Sequence, residues 1–156
     1  MSVRGVFMKI SKRIYTLDEM AMFAESIAQT LFPGFVLCLS GDLGAGKTTL
    51  TQFLGKAMGI KDTITSPTFT ILKSYKNALV LHHIDAYRLE GTYEDFELEE
   101  AIYSDGVSVI EWYENIIGSI PDAYLSIDID FVDDMTRELK IEGRGKYETI
   151  VKAISD

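Results

Sequence analysis

The stretch from Ser40 to Leu50 reads SGDLGAGKTTL, and it directly follows the apolar run Phe35 to Leu39. From Gly41 to Thr48 it matches the pattern G-x-x-x-x-G-K-S/T, which forms a phosphate-binding loop when a strand precedes it and a helix follows. The apolar run has the length and composition of a central strand covered on both faces. Lys47 to Met58 is predicted to be a helix that ends at Gly59, so both required neighbours are present.

Phosphate binding explains the glycines, the lysine and the threonines of this loop. Glycines let the backbone curl with its N–H groups pointing inward, where they cradle the β-phosphate of a nucleotide. Lys47 adds a positive charge at the β- and γ-oxygens, the Thr48 hydroxyl is placed to ligate Mg²⁺, and Thr49 is next in line for the α-phosphate. The loop residues predicted to contact a nucleotide are Gly41, Asp42, Leu43, Gly44, Ala45, Gly46, Lys47, Thr48 and Thr49.

The composition limits the class of protein. A chain of 156 residues is the size of one ordinary domain, so residues 1–156 are expected to form a single domain. The formal net charge of −9 opposes independent binding to DNA or RNA, because such proteins neutralise phosphates with clustered Lys and Arg. The single Cys38 is expected to be a small buried core residue. No window of about 18 apolar residues occurs, so a cytoplasmic protein without a membrane segment is predicted.

The remaining chain alternates between predicted helices and strands. Helices are predicted from Thr16 to Leu31, Tyr93 to Ile102 and Tyr147 to Ile154, and strands from Thr70 to Tyr75, Ala78 to Ile84, Val107 to Ile110, Tyr124 to Phe131 and Glu138 to Ile141. Two hairpins are expected, one turning at Lys76-Asn77 and one joining the last two strands. This order predicts an α/β fold, a P-loop NTPase-like three-layer sandwich with a mixed central sheet flanked by helices.

Two acidic residues come directly after apolar strands. Asp85 follows the run Ala78 to Ile84, and Glu111 follows Val107 to Ile110. Because the carboxyl ends of strands line the ligand crevice in open α/β sheets, both acids are expected beside the phosphate loop, where they would hold Mg²⁺ directly or through water. For Asp85, capping of the strand end is the alternative. Trp112 could stack on a nucleotide, although a half-buried aromatic side chain is the commoner arrangement.

Two other polar segments have ordinary interpretations. His82 and His83 are neighbours in a predicted strand, so their side chains face opposite ways and neither is predicted to ligate a metal. The acidic segment Glu90 to Glu100 is expected to be a solvated helix face, with a docking surface for a basic partner as the alternative.

Two classes of phosphate-loop protein are disfavoured by the sequence. An N-K-x-D segment and a D-x-x-G segment after the second strand are both missing, which disfavours guanine specificity. A small-molecule kinase with an anionic acceptor is disfavoured because Arg88 is the sole Lys or Arg between Asn77 and Thr136. A kinase with a neutral acceptor stays open, and so does a nucleotide-gated binding module without significant turnover.

Four segments together are similar to one known family. They are GDLGAGKTTL (Gly41 to Leu50), SPTFTI (Ser66 to Ile71), HIDAYRL (His83 to Leu89) and IEW (Ile110 to Trp112). Their order and spacing resemble the TsaE (also YjeE) family of bacterial ATPases, which is needed to make threonylcarbamoyladenosine in tRNA. The resemblance implies ATP and Mg²⁺ as cofactors and a weak ATP hydrolase activated by TsaD-type transferase and TsaB-type partner proteins. It also implies that tRNA is reached indirectly, through that complex.

The resemblance also assigns roles to individual residues. Lys47, Asp85 and Glu111 would be the catalytic residues, and Thr48, Asp85 and Glu111 would surround Mg²⁺. Asp85 would be the Walker B-like acid and Glu111 an acid that positions the metal or a water. Thr68, within SPTF, resembles a switch-loop threonine that senses the γ-phosphate, and the residues Thr65 to Thr70 would report the nucleotide state to a partner.

Overall fold

A computed structural model describes residues 7–42, 44–68, 70–89 and 96–155. Its strands are β1 (Phe7–Ile14), β2 (Val36–Ser40), β3 (Leu72–Tyr75), β4 (Leu81–Asp85), β5 (Val107–Glu111), β6 (Leu125–Phe131) and β7 (Arg137–Arg144). Its α-helices are α1 (Leu17–Ala28), α2 (Lys47–Ala57), α3 (Phe96–Ile102) and α4 (Glu148–Ile154), with 3₁₀ segments at Tyr113–Ser119 and Gly145–Tyr147. Across these described ranges, no helix has the length and apolar composition needed to cross a membrane.

The seven strands form one sheet in the order β1-β7-β6-β2-β5-β4-β3. β2 lies at the centre and pairs in parallel with both β5 and β6, and β4 continues the parallel part beside β5. The hairpins β3–β4 and β6–β7 are antiparallel, and β1 pairs antiparallel with β7. The predicted mixed sheet is therefore confirmed.

Alternate residues of β2 enter two separate apolar cores. Leu37 and Leu39 join the core under α1, α2 and α4, whereas Val36 and Cys38 join the core under α3 and the 3₁₀ segment. This arrangement explains why the strand is apolar at successive positions, and it confirms that Cys38 is a buried core residue. Burial raises the pKa of the Cys38 thiol well above its ordinary value, with a smaller contribution from the negative charge of Glu114.

The first helix begins where its sequence predicts. Thr16 is the N-cap, and its Oγ1 accepts a hydrogen bond from the Glu19 backbone N–H at 3.1 Å. Glu19 Oε1 in turn accepts from the Tyr15 backbone N–H at 2.7 Å, so two backbone donors at the helix start are satisfied. The apolar positions of α1 then face the first core, which fixes the helix against the sheet.

Two described parts of the chain differ from the predicted elements. β1 was not predicted; its Lys9, Ser11 and Arg13 are exposed and alternate with more buried positions, but Lys12 at one of those positions interrupts the apolar pattern, and such charged residues are common in edge strands. The hairpin predicted around Lys76-Asn77 is confirmed, but its connection is longer than two residues: it spans residues 76–80, and the Asn77 Nδ2 donates to the Met58 carbonyl at the end of α2, at 3.0 Å. The helix predicted from Tyr93 to Ile102 is confirmed over its described part, α3 (Phe96–Ile102), and its predicted start lies outside the described ranges.

We predict that His82 makes the stability of the fold depend on pH. Its Nδ1 lies 2.8 Å from Ser74 Oγ and its Nε2 lies 3.1 Å from Ser104 Oγ, and burial lowers its pKa from 6.5. Its contribution to stability is therefore complete above the pKa of the unfolded chain and is lost as pH falls through the lower pKa of the folded chain. Between about pH 7 and pH 5, the thermal midpoint of the wild type should fall a few degrees more than that of His82→Gln, measured by circular dichroism. An equal fall in the thermal midpoints of the two proteins would contradict this role of His82.

Candidate functional site

The glycine-rich loop joins β2 to α2 through backbone conformations that favour glycine. Gly41, Gly44 and Gly46 have φ angles of +141°, +82° and +120°. A Cβ atom on Gly41 would lie 2.5 Å from the Ile129 carbonyl oxygen, whereas one on Gly44 or Gly46 would point into open space. The loop is therefore packed closely on the end of β6 at its first glycine, and it leaves room above the other two.

Lys47 begins α2 and lies within the loop. Its side chain is buried, and its Nζ donates to the Gly41 carbonyl at 2.5 Å, which closes the loop on itself. The same Nζ lies 5.4 Å from the centroid of the Trp112 ring. The positive end of α2 and this ammonium group thus lie at the same side of the loop, an arrangement that favours the binding of anions there.

One cavity of about 530 Å³ lies over the loop, within the range of nucleotide-sized pockets. Its lining includes both loop residues and residues of other elements: Asp42, Gly44, Gly46, Lys47, Thr48, Thr49, Ser66, Thr68, Asp85, Tyr87, Glu111 and Trp112. Gly41 and Ala45, which the sequence analysis placed against a nucleotide, are not among these lining residues, and Leu43 lies outside the described ranges. The other predicted site residues are brought together here.

The two predicted acids are aligned by the parallel pairing of β4 and β5. Asp85 is the register partner of Glu111, so both carboxylates lie at the carboxyl edge of the sheet, beside the loop. Asp85 Oδ1 accepts from the Tyr87 backbone N–H at 3.0 Å, and Oδ2 accepts from the Thr68 hydroxyl at 3.3 Å. Both acids are buried. The structure therefore fixes the direction in which Asp85 points before any ligand is present.

His83 is a site residue that the sequence analysis missed. It is fully buried, and its Nε2 lies 2.8 Å from Glu111 Oε2. Since a carboxylate can only accept, His83 Nε2–H is the donor, and His83 Nδ1 has no hydrogen-bond partner among the described residues. The pair holds the Glu111 carboxylate in one orientation. The sequence did carry a signal for this role: residues two apart in a strand share a face of the sheet, so His83 had to lie on the same face of β4 as Asp85.

Residues 66–68 and 70–71 form a turn against Asp85. The Pro67 carbonyl accepts from the Thr70 and Ile71 backbone N–H groups at 3.1 and 2.6 Å, and Ile71 has a φ of +68°. The hydroxyl oxygens of Ser66 and Thr68 lie 2.6 Å apart. Thr68 is thus the residue of this turn whose hydroxyl contacts Asp85, at a position where it could respond to a change at the cavity.

Trp112 follows Glu111 with its backbone in the left-handed region, at a φ of +59°. This conformation is uncommon for a bulky residue, and such strain is found mainly at functional sites. The side chain is half-buried and lines the cavity, with its ring 4.9 Å from that of Tyr87, centroid to centroid. The indole ring therefore faces the cavity on one side, and it also packs against the apolar core under α3.

The oxygen atoms around the cavity are too few to hold a hard cation by themselves, but they suit one that is also bound by the phosphates of a nucleotide. Within the described part of the chain, no group of three or more His, Cys, Asp and Glu side chains is arranged to hold a metal ion. Thr48, Asp85 and Glu111 supply one hydroxyl and two carboxylates to the cavity, which are the donors that Mg²⁺ prefers. This donor set fits a magnesium ion that takes its remaining ligands from phosphate oxygens and water.

The sheet, the loop and the cavity at its carboxyl edge define a P-loop NTPase-like protein. A model of the family described as threonylcarbamoyl adenosine biosynthesis protein TsaE matches residues 14–139. The chain therefore belongs to the TsaE family, as its sequence segments predicted.

Individual relatives agree with this assignment over most of their length. The tRNA threonylcarbamoyladenosine biosynthesis protein TsaE of Bacillus subtilis is 39% identical over 88% of this chain and 89% of its own. The protein of the same description from Treponema pallidum is 36% identical over 80% of this chain and 93% of its own. The crystal structure of Bacillus subtilis YdiB superposes with a TM-score of 0.81, at 32% identity over 96% of both chains.

Proposed function

We propose that this protein is an ATP hydrolase that supports threonylcarbamoyladenosine modification of tRNA. The observation that carries the proposal is the convergence on one cavity of the loop residues Lys47 and Thr48 with the two strand-end acids Asp85 and Glu111. A phosphate-binding loop alone is compatible with many reactions. The addition of two buried carboxylates at the same cavity favours phosphoryl chemistry with a divalent cation.

Bound ATP with Mg²⁺ would supply the transferable γ-phosphoryl group and the charge neutralisation that its cleavage requires. In the proposed mechanism, the open space above Gly44 and Gly46 lets phosphate oxygens approach backbone N–H groups. Lys47 would leave its contact with the Gly41 carbonyl and bind phosphate oxygens instead. Thr48 and Asp85 would hold the cation, Asp85 directly or through water.

Glu111 would orient the attacking water or a water on the cation. Its fixed hydrogen bond from His83 Nε2 supports this role, because a water-positioning carboxylate must keep one orientation through the reaction. Thr68 would exchange its contact with Asp85 for one to the γ-phosphate or its cation, which would shift the turn from Ser66 to Ile71. Such a shift is the kind of change through which nucleotide state is reported to a partner.

The proposed partners are a TsaD-type transferase and a TsaB-type protein, with tRNA reached through that complex. The curated relatives are described as tRNA threonylcarbamoyladenosine biosynthesis proteins, which supports placing this chain in the same process. The net charge of −9 supports an indirect relation to tRNA, because a protein that grips RNA by itself uses clustered positive charge.

The deciding experiment is ATP hydrolysis by this protein alone and then with its cognate TsaD and TsaB proteins and tRNA. We expect slow hydrolysis alone and a large increase with the partners, and no increase when Lys47→Ala replaces the wild type. If nucleotide binds but no increase occurs, the protein is better described as a nucleotide-gated binding module. Stoichiometric phosphorylation of a small molecule would instead identify a kinase.

A further inference from the structure

The side chain of Arg137 connects the tip of the β6–β7 hairpin to the phosphate-binding loop. Arg137 is partly buried, and its Nε donates to the Ala45 carbonyl at 2.8 Å. Its Nη1 donates to the carbonyls of Asp133 and Thr136 at 2.8 and 3.1 Å, and its guanidinium carbon lies 4.8 Å from the centroid of the Phe131 ring. The guanidinium group is therefore held on the hairpin side while it binds the loop backbone.

The contact at Ala45 has a consequence for the next residue. A trans peptide is planar, and its C=O and N–H groups point in opposite directions. When Arg137 holds the Ala45 carbonyl on the hairpin side, the Gly46 N–H is directed to the other side. Gly46 lines the cavity whereas Ala45 is buried behind it, which agrees with this orientation.

Gly46 cannot fix this orientation by itself. Its φ of +120° lies where glycine has wide conformational freedom, and open space surrounds the position of a Cβ atom. A hydrogen bond from a charged donor to the preceding carbonyl supplies the missing constraint. The geometry thus points to a residue about 90 positions away in the sequence that sets the direction of one loop donor.

We infer that Arg137 is a positioning residue of the nucleotide site, which pre-orients the Gly46 N–H toward the β-phosphate of a bound nucleotide. The inference rests on the proposed function for the identity of the ligand. Arg137 does not line the cavity and acts through the Ala45–Gly46 peptide. A fixed donor binds phosphate more tightly than a mobile one, because no conformational freedom is lost on binding.

The test is Arg137→Lys, which keeps the charge but cannot donate to Ala45 and to both hairpin carbonyls in the same forked geometry. The matched control is Arg144→Lys. Arg144 lies at the other end of β7, roughly 23 Å away; like Arg137 it lies over an aromatic ring, but its ion pair is with the Glu142 carboxylate and not with the loop. Isothermal titration with MgADP and MgATP should give affinities roughly tenfold weaker for Arg137→Lys, and within about twofold of wild type for Arg144→Lys.

A second readout tests the loop without any nucleotide. In the free protein, the backbone amide resonance of Gly46 should move in Arg137→Lys and stay in place in Arg144→Lys. Unchanged affinity together with an unchanged Gly46 resonance would overturn the inference. If the wild type binds neither nucleotide, the proposed function fails, and the Gly46 resonance alone then decides whether Arg137 orients the loop. Equal loss of affinity in both variants would also overturn it, since the loss would not depend on the Ala45 contact.

Discussion

Glu111→Gln is expected to lower the rate of ATP hydrolysis by roughly 100-fold or more while the dissociation constant for ATP changes by less than about threefold. The substitution keeps the size of the side chain, and the amide oxygen can still accept the hydrogen bond from His83 Nε2. It removes the negative charge that would orient a water or the cation. The groups assigned to phosphate binding, Lys47 and the loop, are left in place. Single-turnover hydrolysis and calorimetric titration measure the two quantities separately.

The matched control for this variant is Glu114→Gln. Glu114 is exposed in the 3₁₀ segment that follows Trp112, so the same chemical change is made three residues along but outside the cavity lining. Its hydrolysis rate should stay within about twofold of wild type. A Glu111→Gln protein that loses affinity and turnover by the same factor would contradict the role assigned to Glu111, and would indicate that this carboxylate serves binding instead.

Lys47→Ala is expected to weaken the binding of both ATP and ADP by roughly 30- to 100-fold and to reduce hydrolysis at least as much. The reason is that Lys47 is the one side-chain cation among the described residues that line the cavity. Its removal leaves the phosphate charge to the backbone N–H groups and the positive end of α2. Calorimetry with each nucleotide, in the presence of Mg²⁺, measures the loss.

Lys56→Ala on the same helix provides the control, because Lys56 is exposed near the end of α2 that is remote from the loop. The thermal midpoint of each variant should also be recorded, since Lys47 makes a contact with the Gly41 carbonyl that stabilises the loop. If a correctly folded Lys47→Ala protein binds ATP with wild-type affinity, Lys47 does not bind the nucleotide and its proposed role is wrong.

Local sequence patterns predicted the parts of the fold that are determined locally. The loop pattern required a strand before it and a helix after it, and β2 and α2 occupy those places. Asp85 and Glu111 were placed at one edge of the sheet from a general property of parallel strands, and the register of β4 and β5 confirms that placement. The edge strand β1 was missed because its alternation is weak and its neighbour β7 lies more than a hundred residues away.

The contacts that complete the candidate site depend on side chains that are distant in sequence. The hydrogen bond between His83 and Glu111 joins residues 28 positions apart, and that between Arg137 and the Ala45 carbonyl joins residues 92 positions apart. No single-sequence pattern specifies such pairs, because each depends on strand register and on rotamers selected by packing. His83 was considered only as a metal ligand, whereas its observed partner is a carboxylate.

Trp112 gives the protein an intrinsic optical probe. It is the only tryptophan in the chain, so emission excited selectively at the indole band arises from this one position. The Lys47 ammonium group and the Tyr87 ring lie beside it at the cavity, and the ammonium group is expected to move toward phosphate when a nucleotide binds. Occupancy of the cavity should therefore change the intensity or wavelength of Trp112 emission, and binding rates can be followed by stopped flow in the unlabelled protein.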